Sequence, residues 1–122
     1  MTILRLRDGD RWSMAGPPWS ALSAVGWFRL SDAGYRFDRH FHDCAEYWAI
    51  AEGRARVAVG DDRFDVGPGD LVCTPAATEH DIVSAYTDEL VLLFFEEAVP
   101  PGGTPGHRHR DPLGAWHRVP RA

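Results

Sequence analysis

The sequence predicts an all-β protein, a barrel or sandwich of short strands. Three observations carry that expectation. Between residues 20 and 97 apolar side chains alternate with polar ones over short runs, turn-forming residues separate the runs, and no stretch keeps a helical period. Twelve glycines and nine prolines in 122 residues supply the turns. A chain of this length forms one domain and can bury a core without covalent staples.

Taken in order, residues 1–19 are expected to add one strand, TILRL (2–6), and a loop carrying Trp12, Pro17, Pro18 and Trp19. ALSAVGWFRL (21–30) is apolar and aromatic, and it stops at the turn cluster Ser31, Asp32, Ala33, Gly34. YRFDRHFH (35–42) is the next strand. EYWAIAE (46–52), Gly53 and RARVAVG (54–60) read as a hairpin, in which Arg54, Arg56 and Ala58 alternate with Ala55, Val57 and Val59. Asp61 and Asp62 turn into RFDV (63–66), and GPGD (67–70) turns into LVCTP (71–75), where Cys73 is assigned to the core. HDIVSAY (80–86) and ELVLLFFEE (89–97) close a strand-rich region of about residues 22–97. Residues 98–122 form an irregular, Pro/Gly-rich tail, and its His107 and His109 are read as solvated.

Composition narrows the partners. The net charge is −5, and residues 61–99 hold ten acidic side chains against one basic residue, Arg63. No basic stripe is visible, so nucleic acid is not an expected partner. No apolar run suits a membrane span or a leader peptide, so a soluble cytoplasmic protein is expected. Two cysteines, Cys44 and Cys73, are too few for a disulfide framework. All 13 basic residues are arginine, which removes lysine Schiff-base chemistry; genome composition is the simpler reason for that bias.

The chemistry concentrates in RHFHDCAEYWAIAEG (39–53). On an extended strand residues two apart share a face, so His40 and His42 project together, and Glu46 stays in phase if the strand direction is kept. Two imidazoles and a carboxylate make a partial coordination sphere for a first-row divalent metal, and His80 is the other histidine of the strand region. The plainer reading is a set of hydrogen-bonded strand residues, but burying three such groups without partners costs several kcal/mol.

This segment resembles the first cupin motif, G-x5-H-x-H-x3-E-x6-G, at Gly34, His40, His42, Glu46 and Gly53. After 15 intervening residues, the second motif, G-x5-P-x-G-x2-H-x3-N, is matched at Gly69, Pro75 and His80. It departs at Ala77, where the pattern has a glycine suited to positive φ, and at Ser84, where it has asparagine. The resemblance implies a small jelly-roll barrel, a double-stranded β-helix, whose metal is held by His40, His42, Glu46 and His80. Iron, manganese, nickel, copper, cobalt and zinc all suit that donor set, and affinity should fall below about pH 6.5 as the imidazoles take protons. Two coordination positions would stay open, with Glu46 available as a base.

Around that metal, phase places Trp48, Ile50 and Ile82 on the same interior, with Arg36 preceding His40. Trp48 is equally readable as core. Arg36 or Arg29 offers an anion anchor, although surface exposure is the ordinary position for either. Cys44 shares the parity of His42 and Glu46 and could approach the metal; a small buried or loop cysteine is the simpler reading. Two functions follow from the resemblance. One is a metal-dependent enzyme on a small molecule, a dioxygenase or an isomerase, lyase or cyclase. The other is a non-catalytic ligand-binding or sensor module, or the cupin component of a larger biosynthetic assembly such as those making nitrogen–nitrogen bonds. A homodimer is expected, since open strand edges need cover.

Overall fold

The computed structural model describes residue 6, residues 11–13, residues 19–31 and residues 34–122. Of the strand expected at TILRL only Leu6 lies among them, and it is in no strand; Pro17 and Pro18 lie outside them. Among the described residues ten strands follow in order: β1 (Arg11–Ser13), β2 (Leu22–Ser31), β3 (Arg36–Asp38), β4 (Glu46–Glu52), β5 (Ala55–Val59), β6 (Asp62–Val66), β7 (Leu71–Thr74), β8 (His80–Ala85), β9 (Glu89–Glu97) and β10 (Trp116–Arg118). Trp12 therefore sits in a strand, not in the expected loop.

Five strands form one antiparallel wall in the order β1-β2-β9-β4-β7, and β6-β5-β8 form a second. The ribbon β10-β3 continues that second wall, because single backbone bridges join His40 to His80 and Ala85 to Arg121. The two walls face each other as a jelly-roll barrel, as the strand pattern predicts. Between them pack Leu30, Phe37, Trp48, Ile50, Val57, Val72, Ile82, Leu90 and Leu92, all buried. Each such side chain removed from water contributes roughly 1.5–3 kcal/mol, which offsets the ordering of the strands.

Alternation decides which side chains face in. Along β4, Glu46, Trp48 and Ile50 are buried while Tyr47 and Ala49 pack half-buried on the other face. The turn after β4 has room only for glycine: a Cβ on Gly53 would lie 2.0 Å from the carbonyl oxygen of Glu89. Along β7, Val72 and Thr74 take the inward positions, so Cys73 is exposed and is not the core residue expected from its apolar neighbours.

Two further expectations change. The strand read over 35–42 ends at Asp38, because the chain there passes from one partner to another: His40 bridges to β8 and Phe41 to Arg108. The C-terminal segment is not a solvated tail. Its β10 pairs with β3 in the register Trp116↔Asp38, His117↔Phe37, Arg118↔Arg36, and Ala115 and Val119 are buried. A run without apolar period is still held when its backbone completes a sheet edge and two small side chains fill the gap beneath it.

Candidate metal centre

Four side chains meet at one end of the barrel. His40 and His42 lie just after β3, Glu46 opens β4 and His80 opens β8. All four are buried, and their ligand-capable atoms lie within 4.8 Å of one another. His40 Nε2 is 3.1 Å from His42 Nε2 and 3.0 Å from His80 Nε2. Glu46 Oε2 is 2.9 Å from His42 Nε2, and Glu46 Oε1 is 3.2 Å from His80 Nε2. Donors at right angles around an ion about 2.1 Å away stand about 3.0 Å apart, so the spacing is that of neighbouring ligands.

The protonation pattern makes the same point. His40 is kept neutral, pushed down to about 3 by burial and by His80 and His107. Its Nδ1 faces the Asp38 carbonyl, which can only accept, so Nδ1 carries the proton and Nε2 is a bare lone pair. His42 Nδ1 likewise donates to the Gly106 carbonyl at 3.1 Å. Its Nε2 meets Glu46 at 2.9 Å and Glu96 Oε1 at 3.0 Å. Burial opposes a charge on His42, but hydrogen bonds to Glu46 and Glu96 outweigh it and raise His42 to about 10. A lone pair and two carboxylates thus converge on a point that requires a positive charge, either a proton or a cation.

Glu46 is fixed from both sides. Burial raises its carboxyl, yet the hydrogen bonds from His42 and His80 prevail and hold it far below the usual carboxylate range. Trp48 Nε1 also donates to Oε1 at 2.5 Å. With both oxygens taken, Glu46 is a weak proton acceptor, which argues against its use as a base. His80 Nδ1 is buried and has no hydrogen-bond partner among the described residues.

A cavity of about 630 Å³ opens beside the cluster. His40, His42, Cys44 and Glu46 line it, and Trp48, Phe94, Leu92 and Phe28 continue the lining along the neighbouring strands β4, β9 and β2 of the five-stranded wall. Trp48 is therefore both core and cavity wall. Burial, together with the Glu96 and Glu46 charges, pushes the Cys44 thiol up to about 11, so it stays protonated at neutral pH. Ile50 and Ile82 do not line the cavity; both are fully packed in the core. Neither expected anion anchor reaches it. Arg36 is exposed on β3, and Arg29 pairs with Glu89 at 2.7 Å toward the other end of β2.

Two contributions were not read from the sequence. Glu96, across from Glu46 in the β4–β9 register, lines the cavity. The alternation Leu90, Leu92, Phe94, Glu96 in β9 points to it. The second is the C-terminal segment: Asp38, buried, accepts from His107 Nδ1 at 2.8 Å and from His109 Nε2 at 2.8 Å. The His107 ring stacks on His40 with centroids 3.5 Å apart. No local pattern in the tail indicates this, because its partner is 69 residues away.

The sequence model described as "Cupin domain" matches residues 26–96. An uncharacterised protein of Sinorhizobium fredii is 44% identical over 52 residues, 43% of this chain and 24% of that protein. Oxalate decarboxylase of Bacillus subtilis, described with Mn(II) centres, is 28% identical, with a TM-score of 0.63 over 78% of this chain and 27% of its own. A cupin 2 conserved barrel domain protein from Rhodopseudomonas palustris is 24% identical, with a TM-score of 0.61 over 77% of this chain and 63% of its own. The DMSP lyase of Ruegeria pomeroyi is 18% identical, with a TM-score of 0.63 over 88% and 54%. These last two likenesses show the fold alone. The chain spans less than two thirds of each of these relatives.

Proposed function

The chain belongs to the cupin family, and on that premise we propose that it is a metal-dependent enzyme acting on a small molecule. His40, His42, Glu46 and His80 would hold one divalent transition metal. The observation that carries this is the convergence of three imidazole Nε2 atoms and one carboxylate at 2.9–3.2 Å with nothing but a proton to balance them. The likeness to a manganese decarboxylase supports a divalent ion there. When bound, such an ion supplies a Lewis acid, and a redox-active one supplies electrons as well.

The protein's own residues would do three things. Asp38 and Gly106 carbonyls orient the His40 and His42 rings. Trp48 fixes the Glu46 carboxylate. The apolar wall of Phe28, Leu92 and Phe94 excludes water beside the reacting ligand and so strengthens every electrostatic contact there. The reading includes a cytoplasmic homodimer; two unpaired cysteines suit a reducing compartment.

The test is elemental analysis of purified protein offered manganese, iron, zinc, nickel, cobalt and copper in turn. About one ion per chain is expected for wild type and almost none for His80→Ala, with far-UV circular dichroism reporting the fold. A wild-type protein that takes up none of these ions refutes the metal. Oxygen uptake and product formation with the loaded protein then separate an enzyme from a binding module, which retains ligand without turnover.

A further inference from the structure

We infer that the cavity takes an uncharged or cationic molecule with an apolar body, and that Glu96 is the residue that turns anions away. The inference rests on the proposed metal site for the direction of the ligand's polar end, toward the histidines, and for the charge of the centre.

The wall sets the body of the ligand. Ala24, Phe28, Leu92, Phe94 and Val99 give the cavity an apolar lining beside the histidine cluster, and about 630 Å³ accommodates a bicyclic molecule. The charges set its polar end. Glu46 and Glu96 both line the cavity, facing each other across the β4–β9 pair. Among the described residues no arginine lines it. Arg108 is turned to Asp43 at 3.0 Å, and Arg110 lies over the Phe41 ring at 4.6 Å and bonds the Ala77 carbonyl at 2.5 Å. A divalent ion with two carboxylates sums to zero, so the centre carries no surplus positive charge for an anion. An entering carboxylate would be desolvated beside Glu96, whose side chain is only 13% exposed. An alcohol or an ammonium meets no such penalty, and Glu96 can accept a hydrogen bond from either.

Three probes of one shape test this: 2-naphthoate, 2-naphthylmethanol and 2-naphthylmethylamine. Their binding to the Mn(II)-loaded full chain is followed by ligand-observed NMR, and broadening of the probe protons by the ion shows that they sit in the cavity. Wild type is expected to bind the alcohol and the amine about tenfold more tightly than the carboxylate, the size of one unfavourable partly buried charge contact. Glu96→Gln, nearly isosteric, should bring naphthoate to within about twofold of the alcohol. Glu97→Gln removes the neighbouring charge, which faces away and bonds Tyr47 at 2.6 Å, and should leave the order unchanged. Equal wild-type affinities, an unchanged order in Glu96→Gln, or an equal change in Glu97→Gln overturns the inference. Manganese content is measured on the same samples. Its absence counts against the metal alone, and the probe order is then read by saturation transfer on metal-free protein.

Discussion

At residue 77 an alanine holds a backbone angle that alanine avoids. Its φ is +64°, in the left-handed region where Cβ crowds the following carbonyl. The turn is kept there because its amide donates to the His42 carbonyl at 2.8 Å and its carbonyl receives Arg110. Ala77→Gly should therefore stabilise the fold by about 1 kcal/mol, read from the midpoint of urea unfolding. No gain, or a loss, would mean that the turn carries no strain. The titrations of two ligands make the other residue-scale prediction. His40, lowered to about 3, is neutral at pH 7, whereas His42, raised to about 10, carries a proton that a cation must displace. Loading with Mn(II) at pH 7 should release about one proton per ion, and apparent affinity should climb about tenfold per pH unit up to about 9. An indicator dye in weak buffer measures the release; none at pH 7 excludes His42 as the displaced site. In the metal-free protein the signs differ. The raised His42 stabilises below its unfolded value near 6.5 and loses that contribution as pH climbs through about 10; the lowered His40 stabilises above 6.5 and fails as pH falls toward 3.

At the scale of elements, the strap that carries Gly106, His107 and His109 is tied to β3 through Asp38. Asp38→Ala should free that strap while sparing the Asp38 carbonyl that faces His40. Limited proteolysis should then cut between residues 98 and 110 in the variant and spare the wild type; equal resistance would show that the Phe41–Arg108 bridge and the Asp43 contacts hold the segment without Asp38. These contacts mark where sequence reading stops. Strand alternation gave the burial of Glu46, Trp48 and Ile50, and phase drew His40, His42 and Glu46 together, because period is local; His80 came from the resemblance to the second cupin motif. Arg36 failed the same rule, since β3 ends two residues before His40 and the phase is lost at the break. Ile50 and Ile82 kept their phase but point deeper than the cavity. Asp38 gripping two distant histidines is a matter of tertiary partner, which no local pattern encodes.

At the scale of the whole molecule, the two walls each end in an exposed strand. β6 and β7 are both sheet edges, and between them lies a groove of about 500 Å³ with Phe64 and Leu71 about half exposed. Edge strands with large apolar side chains invite a partner. Light scattering should give twice the 13.6 kDa chain mass, and Leu71→Arg should return it to the chain mass. A wild type at the chain mass removes the dimer. The His42 ring is oriented by a main-chain oxygen 64 positions further on. Point replacement at Gly106 alters a side chain and leaves that oxygen in the chain. Inserting or deleting a residue between 98 and 106 shifts it out of reach. Loop length, more than loop spelling, is thus the property that variation must preserve there, and a library of single substitutions would pass over it.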